Sequence, residues 1–460
     1  MSSPPHIDDT ANQSPSRIGS HSWLTIDEIL DSQPISSRQI AIIVLCFAVA
    51  TLDGLDLAIV GFLAPSIRAA FQIGPGDLAL LFSGGLAGYS VGALVAGPTA
   101  DTIGRKKVLM IAVSIFGCMC AASGFAGSYH QLLMLRVLTG IGLGAAAPNA
   151  ITLTSEFCPA RKRSFLVTAM FCGFTLGSAA GGTVMVPLLL PRVGWRGVFL
   201  FIGALPLVLV PLLAAFLPES LKYLIDRGAK WETIEPLLRK VSPGLSADAQ
   251  VVISEDTSKG SPVSQLFTGI MRTYTPLLWA SYFLSLLIIY LFSNWLPVVI
   301  VDSGMPISTA SFVVGLFQIG AAIGALFLGY FMDKYKPEAV LSASYLMGAV
   351  AIAAIGFAYS SQMLLTVCMF VSGATVSGGM TGVNALTSQV YPTSSRATGV
   401  GWALGIGRLG SIVGSGAGAW LFSKAFSIQT AFFIAAIPAV CIGLALAGLG
   451  RIRRVSVTSG

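Results

Sequence analysis

Charged residues are scarce in this chain of 460 residues: Asp, Glu, Lys and Arg together account for 10%, and hydrophobic residues for 54%. Soluble domains carry about 25% charged residues, so this composition excludes a soluble enzyme or a nucleic-acid-binding protein. Histidine occurs only three times, and the seven cysteines lie in or beside apolar runs without metal-type spacing. We therefore expect no metal, no cofactor and no disulfide framework. Residues 1–38 contain no apolar stretch of the kind that a cleaved signal peptide requires.

What the chain does contain is a series of apolar runs, each close to the ~20 residues that an α-helix needs to cross a bilayer. Twelve such runs are present, at residues 40–62, 78–98, 108–127, 130–153, 165–187, 197–217, 275–299, 308–331, 339–358, 363–387, 398–421 and 429–449. The 51 glycines fit close packing between membrane helices. The sequence therefore predicts an all-α membrane protein with twelve transmembrane helices.

Basic residues are concentrated in alternate connections between these runs. One set of connections, with the C-terminal tail, contains Arg105, Lys106, Lys107, Arg161, Lys162, Arg163, Lys334, Lys336, Arg396, Arg451, Arg453 and Arg454. The other set contains only Arg68, Arg192, Arg196 and Lys424. Because loops rich in Lys and Arg stay in the cytoplasm, both termini are expected there. The long polar segment 218–272 falls on the same side and divides the runs into six and six.

The two halves of the chain contain the same landmarks at nearly the same spacing. Gly88, Gly92, Gly97 and Asp101 correspond to Gly320, Gly324, Gly329 and Asp333, and Gly177 and Gly181 correspond to Gly410 and Gly414. Segment 154–159 (TSEFCP) likewise corresponds to segment 387–392 (TSQVYP). A parallel duplication of this kind produces two pseudo-symmetric six-helix bundles. The predicted division is a tail at 1–38, bundles at 39–217 and 273–450, a linker at 218–272 and a tail at 451–460.

Two acidic residues, Asp53 and Asp56, stand inside the first apolar run and share one face of a helix. A carboxylate at membrane depth costs about 2.5–3.5 kcal/mol, so an acid there is rarely without a role. Two adjacent carboxylates cannot both stay ionised cheaply, so at least one is expected to exchange protons. Arg136, at similar depth in the fourth run, is the expected partner of one of them. The alternative interpretation is a static buried ion pair that holds the first bundle together.

Three sequence segments carry a resemblance to a known family. Residues 97–107 (GPTADTIGRKK) resemble the signature between the second and third helices of the major facilitator superfamily, whose fold comprises two six-helix bundles. Residues 53–56 (DGLD) with 61–65 (GFLAP), and residues 391–410 (YPTSSRATGVGWALGIGRLG), are similar to the aromatic acid:proton symporter family within it. The resemblance covers essentially all of residues 40–450.

The second half of the chain contains one charge inside its predicted spans, Arg408, whose repeat equivalent in the first half is the neutral Thr175. Guanidinium is always charged and its planar fork suits a carboxylate. Because no acid lies within the spans of the second half, a substrate anion is its expected partner. Around Arg408 we expect a partly polar, aromatic-lined cavity. The further candidates for substrate binding are Asn149, Tyr290, Asn294, Gln318, Asn384 and Trp402.

A second group of charges and glycines lies at the inner ends of the predicted spans. The group comprises Gly97, Asp101, Arg105, Glu156, Arg163, Asp333 and Arg396. Opposite charges at helix ends can form and break salt bridges as two bundles rock, so we expect a gate there. In the second half of the chain, the uncharged Gln389 stands at the position that corresponds to Glu156. This difference predicts a gate that is stronger on the N-terminal side.

The resemblance implies a proton-coupled secondary importer of aromatic carboxylates such as benzoate or hydroxybenzoates, which works by alternating access. Asp53, Asp56 and Arg136 would couple the protons. The alternatives are a transporter of another organic anion, such as muconate, phenylpropionate or a sugar acid, and a proton-driven exporter. A membrane-embedded enzyme is disfavoured, because no cluster of nucleophiles or metal ligands lies at membrane depth. The expected location is a bacterial inner membrane, where the chain works as a monomer with lipid, protons and the carboxylate, and without nucleic acid.

Overall fold

The structure, a computed structural model, describes residues 23–24, 26–229, 231–242, 250–251, 263–358, 361–391, 393–422 and 426–458. These residues are helical almost throughout. The α-helices are α1 (Ile26–Asp31), α2 (Ser37–Phe71), α3 (Pro75–Ile103), α4 (Arg105–Ser123), α5 (Tyr129–Phe157), α6 (Arg163–Ala180), α7 (Val186–Phe216), α8 (Leu221–Asp226), α9 (Trp231–Val241), α10 (Met271–Asp302), α11 (Ile307–Lys334), α12 (Pro337–Ala358), α13 (Gln362–Ser372), α14 (Gly378–Val390), α15 (Thr393–Leu421) and α16 (Ile428–Thr458).

Short irregular elements complete the description. Single π-helical segments at Gly181–Met185 and Gly373–Ser377 interrupt two of the long helices, and 3₁₀ turns lie at Ala160–Lys162 and Val263–Phe267. Two-residue strands β1 (Trp23–Leu24) and β2 (Gln250–Val251) pair in parallel, outside the membrane spans.

The predicted membrane spans correspond to these helices. Ten continuous helical segments are long and apolar enough to cross a bilayer, and one of them, Phe165–Phe216, contains two of the predicted spans. That segment is broken at Gly194, whose φ of 65° and ψ of 177° are not helical. Helix α15 is less apolar because it is rich in glycine and contains Arg408, and it supplies the remaining span. The prediction of an all-α, twelve-helix membrane protein is confirmed, apart from the two-residue strand pair.

The repeated glycines occupy equivalent helix crossings in the two halves. A Cβ on Gly177 would lie 1.9 Å from the Thr51 carbonyl oxygen of α2, and one on Gly410 would lie 2.0 Å from the Phe283 oxygen of α10. Gly88 and Gly320 make similar contacts, between α3 and α5 and between α11 and α13. Because only glycine allows backbones to approach this closely, the duplication preserves packing contacts as well as sequence.

Gly177→Ala should therefore destabilise the protein. The added methyl group overpacks the crossing of α2 and α6, which costs about 1–3 kcal/mol in a well-packed interior. Thermal unfolding of the purified protein measures the change. Gly448→Ala in α16 is the matched control, because a Cβ there meets nothing within 4 Å. Equal melting temperatures for the two variants would contradict this account of the repeat.

One face of the molecule carries the start of α2 and the end of α16, and we call it the terminal face. The serine before α2 begins that helix with a capping box, because Ser36 Oγ accepts from the Gln39 amide while Gln39 Oε1 accepts from the Ser36 amide. Helices α1 and α9 pack beneath the first bundle on this face. Their apolar residues Ile29, Leu30 and Leu238 are buried in the same core as residues of α2, α4 and α5.

Contacts between the two bundles lie at mid-depth or toward the face opposite the termini. A Cβ on Gly61 of α2 would lie 2.3 Å from the Ser293 carbonyl oxygen of α10. Ser83 of α3 donates a hydrogen bond of 3.1 Å to the Ile412 carbonyl oxygen of α15. The described hydrogen bonds between the bundles include none in the half of the molecule nearest the terminal face. The bundles are therefore closed against each other on the opposite face.

Candidate functional site

A buried ion pair joins α2 to α5. Arg136 Nη1 lies 3.2 Å and 3.3 Å from the two carboxylate oxygens of Asp56, and both side chains are 3% exposed. Arg136 Nη2 donates to Thr139 Oγ1 at 2.9 Å, and the guanidinium carbon lies 4.8 Å from the centre of the Phe199 ring. The charge of Asp56 is thus compensated by Arg136 in this conformation.

Asp53 has a different environment, although it lies less than one helical turn from Asp56. Its Oδ2 accepts a long hydrogen bond of 3.4 Å from the Tyr89 hydroxyl, and its Oδ1 has no hydrogen-bond partner among the described residues. The side chain is buried. Asp53 is therefore the acid without a cation in direct contact, as expected if Arg136 pairs with only one of the two acids.

Tyr89 also contacts Arg408 from the other bundle. The Arg408 guanidinium carbon lies 4.1 Å from the centre of the Tyr89 ring, which is a cation–π contact. On its other side, Arg408 Nη1 donates to the Tyr290 hydroxyl at 3.3 Å. Tyr89 therefore contacts both Asp53 of the first bundle and Arg408, which is the one charged residue within the predicted spans of the second half.

Arg408 has an acidic neighbour from the other bundle, which the expectation, based on the second half of the chain alone, did not include. Packing of α3 against α15 brings Asp53 of α2 within range of an electrostatic interaction with Arg408. Binding of a substrate anion by Arg408 stays a prediction. The two charges do not form a direct ion pair. Tyr89 contacts both of them, so a carboxylate of the first bundle and a guanidinium of the second share one tyrosine.

A cavity adjoins this cluster between α2, α3, α5 and α10. Asp56, Arg136, Tyr290 and Asn294 provide its polar lining, and the remainder is apolar. Its volume of about 30 Å³ has room for about one water molecule and not for an aromatic ring. The site is therefore contracted in this conformation.

Three of the predicted polar residues are buried and hydrogen-bonded. Asn294 donates to Ser415 Oγ at 2.8 Å, which joins α10 to α15 beside Arg408. Gln318 donates to Ser178 Oγ at 2.5 Å across the two bundles. Asn149 donates only to the Ala145 carbonyl oxygen of its own helix, so its amide oxygen is available to another donor.

Two other candidates are placed differently from the expectation. Asn384 is exposed rather than buried, and no hydrogen bond to a described residue engages it. Trp402 is 49% exposed, and its ring stacks on that of Trp279 with the ring centres 5.9 Å apart. Their assignment to substrate binding stays a prediction.

The charges at the terminal face form a network within the first bundle. Arg105 at the start of α4 forms an ion pair with Glu156 at the end of α5, and Glu156 also accepts from Ser220 Oγ at 2.5 Å. Glu219 Oε1 accepts from the Lys106 amide at 2.9 Å, a contact that the sequence did not reveal.

The other predicted gate residues lie at several helix ends. Asp101 and Asp333 are exposed and make no hydrogen bond or ion pair within the described ranges, and a Cβ added to Gly97 would meet nothing within 4 Å. Arg163 opens α6. Arg396 lies in the first turn of α15, and its side chain is outside the described residues. The ion pair that the structure describes in this group, Arg105 with Glu156, lies within the first bundle.

An ion pair that the sequence analysis missed lies on the opposite face. Arg68 at the end of α2 donates through Nη1 to Asp302 at the end of α10 at 2.8 Å, and Nη2 contacts the second carboxylate oxygen. This bidentate pair connects the first helix of one bundle with the first helix of the other. The signal was available, since Arg68 is one of few basic residues in its set of loops, but the pairing required the tertiary structure.

Comparison with known proteins identifies the family. The model of the Major Facilitator Superfamily matches residues 46–309 and 278–458. The chain is 41% identical over 431 residues to a gallate transporter of Pseudomonas putida, covering 94% of this chain and 96% of that protein. It is 38% identical over 443 residues to the 4-hydroxybenzoate transporter PcaK of Pseudomonas putida, with coverage of 95% and 98%.

Solved structures support the same fold. The crystal structure of a D-xylose-proton symporter superposes with a TM-score of 0.70 at 17% identity, covering 89% of this chain and 97% of that one. A bacterial homologue of the lysosomal transporter Spinster, inward-facing and occupied, also gives 0.70, at 16% identity and coverage of 92% and 98%. At these identities the likeness concerns the arrangement of helices.

Proposed function

Because the chain belongs to the Major Facilitator Superfamily and is a transporter rather than an enzyme, we propose that it imports aromatic carboxylates together with protons. Its relatives with 41% and 38% identity are named transporters of gallate and 4-hydroxybenzoate, both of which are hydroxylated benzoates. The single observation that carries the proposal is the contact of Tyr89 with both Asp53 and Arg408. In this proposal Asp53 exchanges the proton, and the adjacent Arg408 receives the substrate carboxylate.

Charge balance at this site supplies the coupling. While Asp53 is ionised, it compensates the charge of Arg408 across Tyr89. Once Asp53 takes up a proton, Arg408 becomes the uncompensated cation, and a substrate carboxylate restores neutrality in a medium where unbalanced charge is costly. Proton and anion therefore favour each other's binding, and thermodynamic linkage makes that preference reciprocal. If one proton binds with each monoanion, the loaded site carries the same net charge as the empty site.

The aromatic ring of the substrate would lie beside Arg408 among residues that can contact its face and its hydroxyl groups. We assign this role to Tyr290 and Asn294, which adjoin the cavity, and more peripherally to Asn149, Gln318, Asn384 and Trp402. The contracted cavity must widen before a ring can enter, which the separation of the bundles during alternating access provides.

We infer that the terminal face is cytoplasmic, as the excess of basic residues indicates, and that the protein lies in a bacterial inner membrane and works as a monomer. On this basis the structure would be an inward-facing state. The bundles would comprise 39–217 and 273–450, joined by 218–272, with tails at 1–38 and 451–460. Arg105, Glu156, Arg163, Asp101, Asp333, Gly97 and Arg396 would form the inner gate, and Arg68 with Asp302 the outer one.

Breaking the outer ion pair should shift the protein toward outward-facing conformations. Arg68→Ala removes the bidentate contact to Asp302. Because this contact stabilises the inward-facing state and is absent from the outward-facing state, its loss favours the outward-facing state. Labelling of a cysteine introduced at Ser83 by a membrane-impermeant maleimide measures opening from the outside, and we expect faster labelling. The charge-swapped pair Arg68→Asp with Asp302→Arg should restore the slow rate. Unchanged labelling in Arg68→Ala would remove this pair from the gate.

The transport proposal itself is tested in proteoliposomes. An inward proton gradient is imposed, and uptake of benzoate, 4-hydroxybenzoate, gallate and 3-(3-hydroxyphenyl)propionate is followed together with the external pH. We expect concentrative uptake of at least one hydroxybenzoate with alkalinisation of the medium. Uptake without alkalinisation would contradict symport. Failure of external acidification to stimulate uptake, with stimulated loss from loaded vesicles, would favour the exporter.

A further inference from the structure

A large pocket lies on the terminal face where α9 packs beneath α2, α4 and α7. Its volume is about 660 Å³, and its charged side chains are Arg38, Lys106, Lys107, Lys240 and Glu219. These residues come from four separate stretches of the chain. None of them belongs to the transport site, and only Lys106 and Glu219 also take part in the network of charges at the terminal face.

The pocket has an excess of uncompensated positive charge. Arg38, Lys107 and Lys240 make no hydrogen bond or ion pair with any residue in the described ranges. Lys106 Nζ donates to the Ala214 carbonyl oxygen at 2.8 Å, and Glu219 is the acid that interacts electrostatically with it. The one acid, Glu219, accepts from the backbone amides of Lys106 and Ser220 at 2.9 Å and 3.0 Å.

The remaining walls of the pocket are apolar and lead toward the membrane. Met110, Phe216 and Leu237 contribute to them. From Phe216 an exposed apolar stripe continues along α7 through Leu212 and Val208, which are 44% and 67% exposed. A ligand that fits has an anionic head at the membrane surface and a hydrocarbon tail along α7.

Membrane orientation alone does not account for this convergence. Loop charges set topology wherever they lie on the correct side, without needing to surround one cavity. Lys240 belongs to α9, which is held against the first bundle by the buried side chains of Ile234, Leu238 and Val241. That packing brings Lys240 to the same pocket as Arg38 and Lys107, although like charges oppose such an approach.

We propose that this pocket binds the phosphate headgroup of an anionic phospholipid, with an acyl chain along the exposed stripe of α7. Basic pockets at the inner surface of membrane proteins favour such headgroups, because each Lys or Arg adds attraction to an anionic lipid. The bound phosphate would offset the repulsion among Arg38, Lys107 and Lys240. It would thereby fix α9 and the segment that joins the two halves against the first bundle.

Native mass spectrometry of the full-length protein tests the proposal by titration with phosphatidylglycerol, phosphatidylethanolamine or inorganic phosphate. The triple variant Arg38→Gln, Lys107→Gln, Lys240→Gln should bind phosphatidylglycerol about 100-fold more weakly, since each basic residue contributes about a fivefold factor. The matched control, Lys162→Gln, Arg272→Gln, Lys336→Gln, removes the same charge from exposed positions outside the pocket and should bind as the wild type does. The single variant Lys240→Gln, on the exposed side of α9, should show an intermediate loss.

The outcomes separate the sources of the phosphate chemistry. Weaker phosphatidylglycerol binding in the pocket variants but not in the control supports the proposal. Equal losses in both triple variants would reduce the effect to general surface charge and overturn it. If the wild type binds phosphatidylethanolamine as tightly as phosphatidylglycerol, the pocket does not select anionic headgroups, which would overturn the proposal. Inorganic phosphate that competes as strongly as the lipid would make the pocket a soluble-anion site and overturn the assignment to lipid.

Discussion

Arg408→Ala should strongly weaken binding and uptake of the aromatic carboxylate while leaving a folded, membrane-inserted protein. Removing one partner of a buried, hydrogen-bonded charge pair costs about 2–5 kcal/mol, so we expect substrate affinity to fall by about 30- to 4,000-fold. The folded protein should tolerate the change, because in the described part of the chain the guanidinium has no direct ion pair; its contacts are a cation–π interaction with Tyr89 and a long hydrogen bond to Tyr290. Equilibrium binding of radiolabelled 4-hydroxybenzoate to the purified protein measures the loss of affinity directly.

Two companion variants make this result specific to the carboxylate. Arg408→Lys keeps the charge but not the planar fork, so it should recover part of the affinity and not all of it. Arg192→Ala removes an exposed arginine that donates only to the Leu188 carbonyl oxygen, and it should bind as the wild type does. If Arg408→Ala binds the substrate normally, the anion site lies elsewhere in the chain.

Most of the fold could be predicted from the sequence because membrane insertion leaves few alternatives. A span in lipid must satisfy its own backbone, so the apolar runs had to be helices, and their lengths fixed their number. The pairing of Gly177 with Gly410 predicted equivalent crossings, and the structure places both against a neighbouring backbone. The break at Gly194 was anticipated as a boundary between two runs. The strand pair of β1 with β2 gave no periodic signal, because it is two residues long.

The site was predictable only within each half of the chain. Arg136 was expected to pair with one of the two aspartates, because their similar depths follow from topology and helical rise, and the structure places it against Asp56. The contact of Tyr89 with Arg408 depends on how α3 crosses α15, and sequence periodicity carries no information about that crossing. The sequence marked Gly88 and Gly92 as repeated glycines but assigned no role to Tyr89 beside them. Asn384 was predicted as a residue of the substrate site, and its exposure likewise depends on helix packing that the sequence does not show.

Asp53→Asn and Asp56→Asn should fail in different ways. Asp53 has no cation in direct contact, so its amide analogue imitates the protonated acid without disturbing an ion pair. We expect Asp53→Asn to lose accumulation driven by a proton gradient but to retain exchange of labelled for unlabelled substrate, which needs no net proton movement. Asp56→Asn leaves Arg136 buried without a carboxylate, which costs about 3–5 kcal/mol. It should lower the melting temperature and impair both uptake and exchange.

Compensation distinguishes the two roles further. Asp56→Asn combined with Arg136→Gln removes both charges of the pair, so it should regain much of the thermal stability, since replacing both partners costs far less than removing one. No such rescue is expected for Asp53→Asn, whose melting temperature should match that of the exposed control Asp101→Asn. Should Asp53→Asn still accumulate substrate in response to a proton gradient while the rescued double variant does not, Asp56 carries the proton. The charge-balance account of Arg408 would then have to be rebuilt around the Arg136 pair.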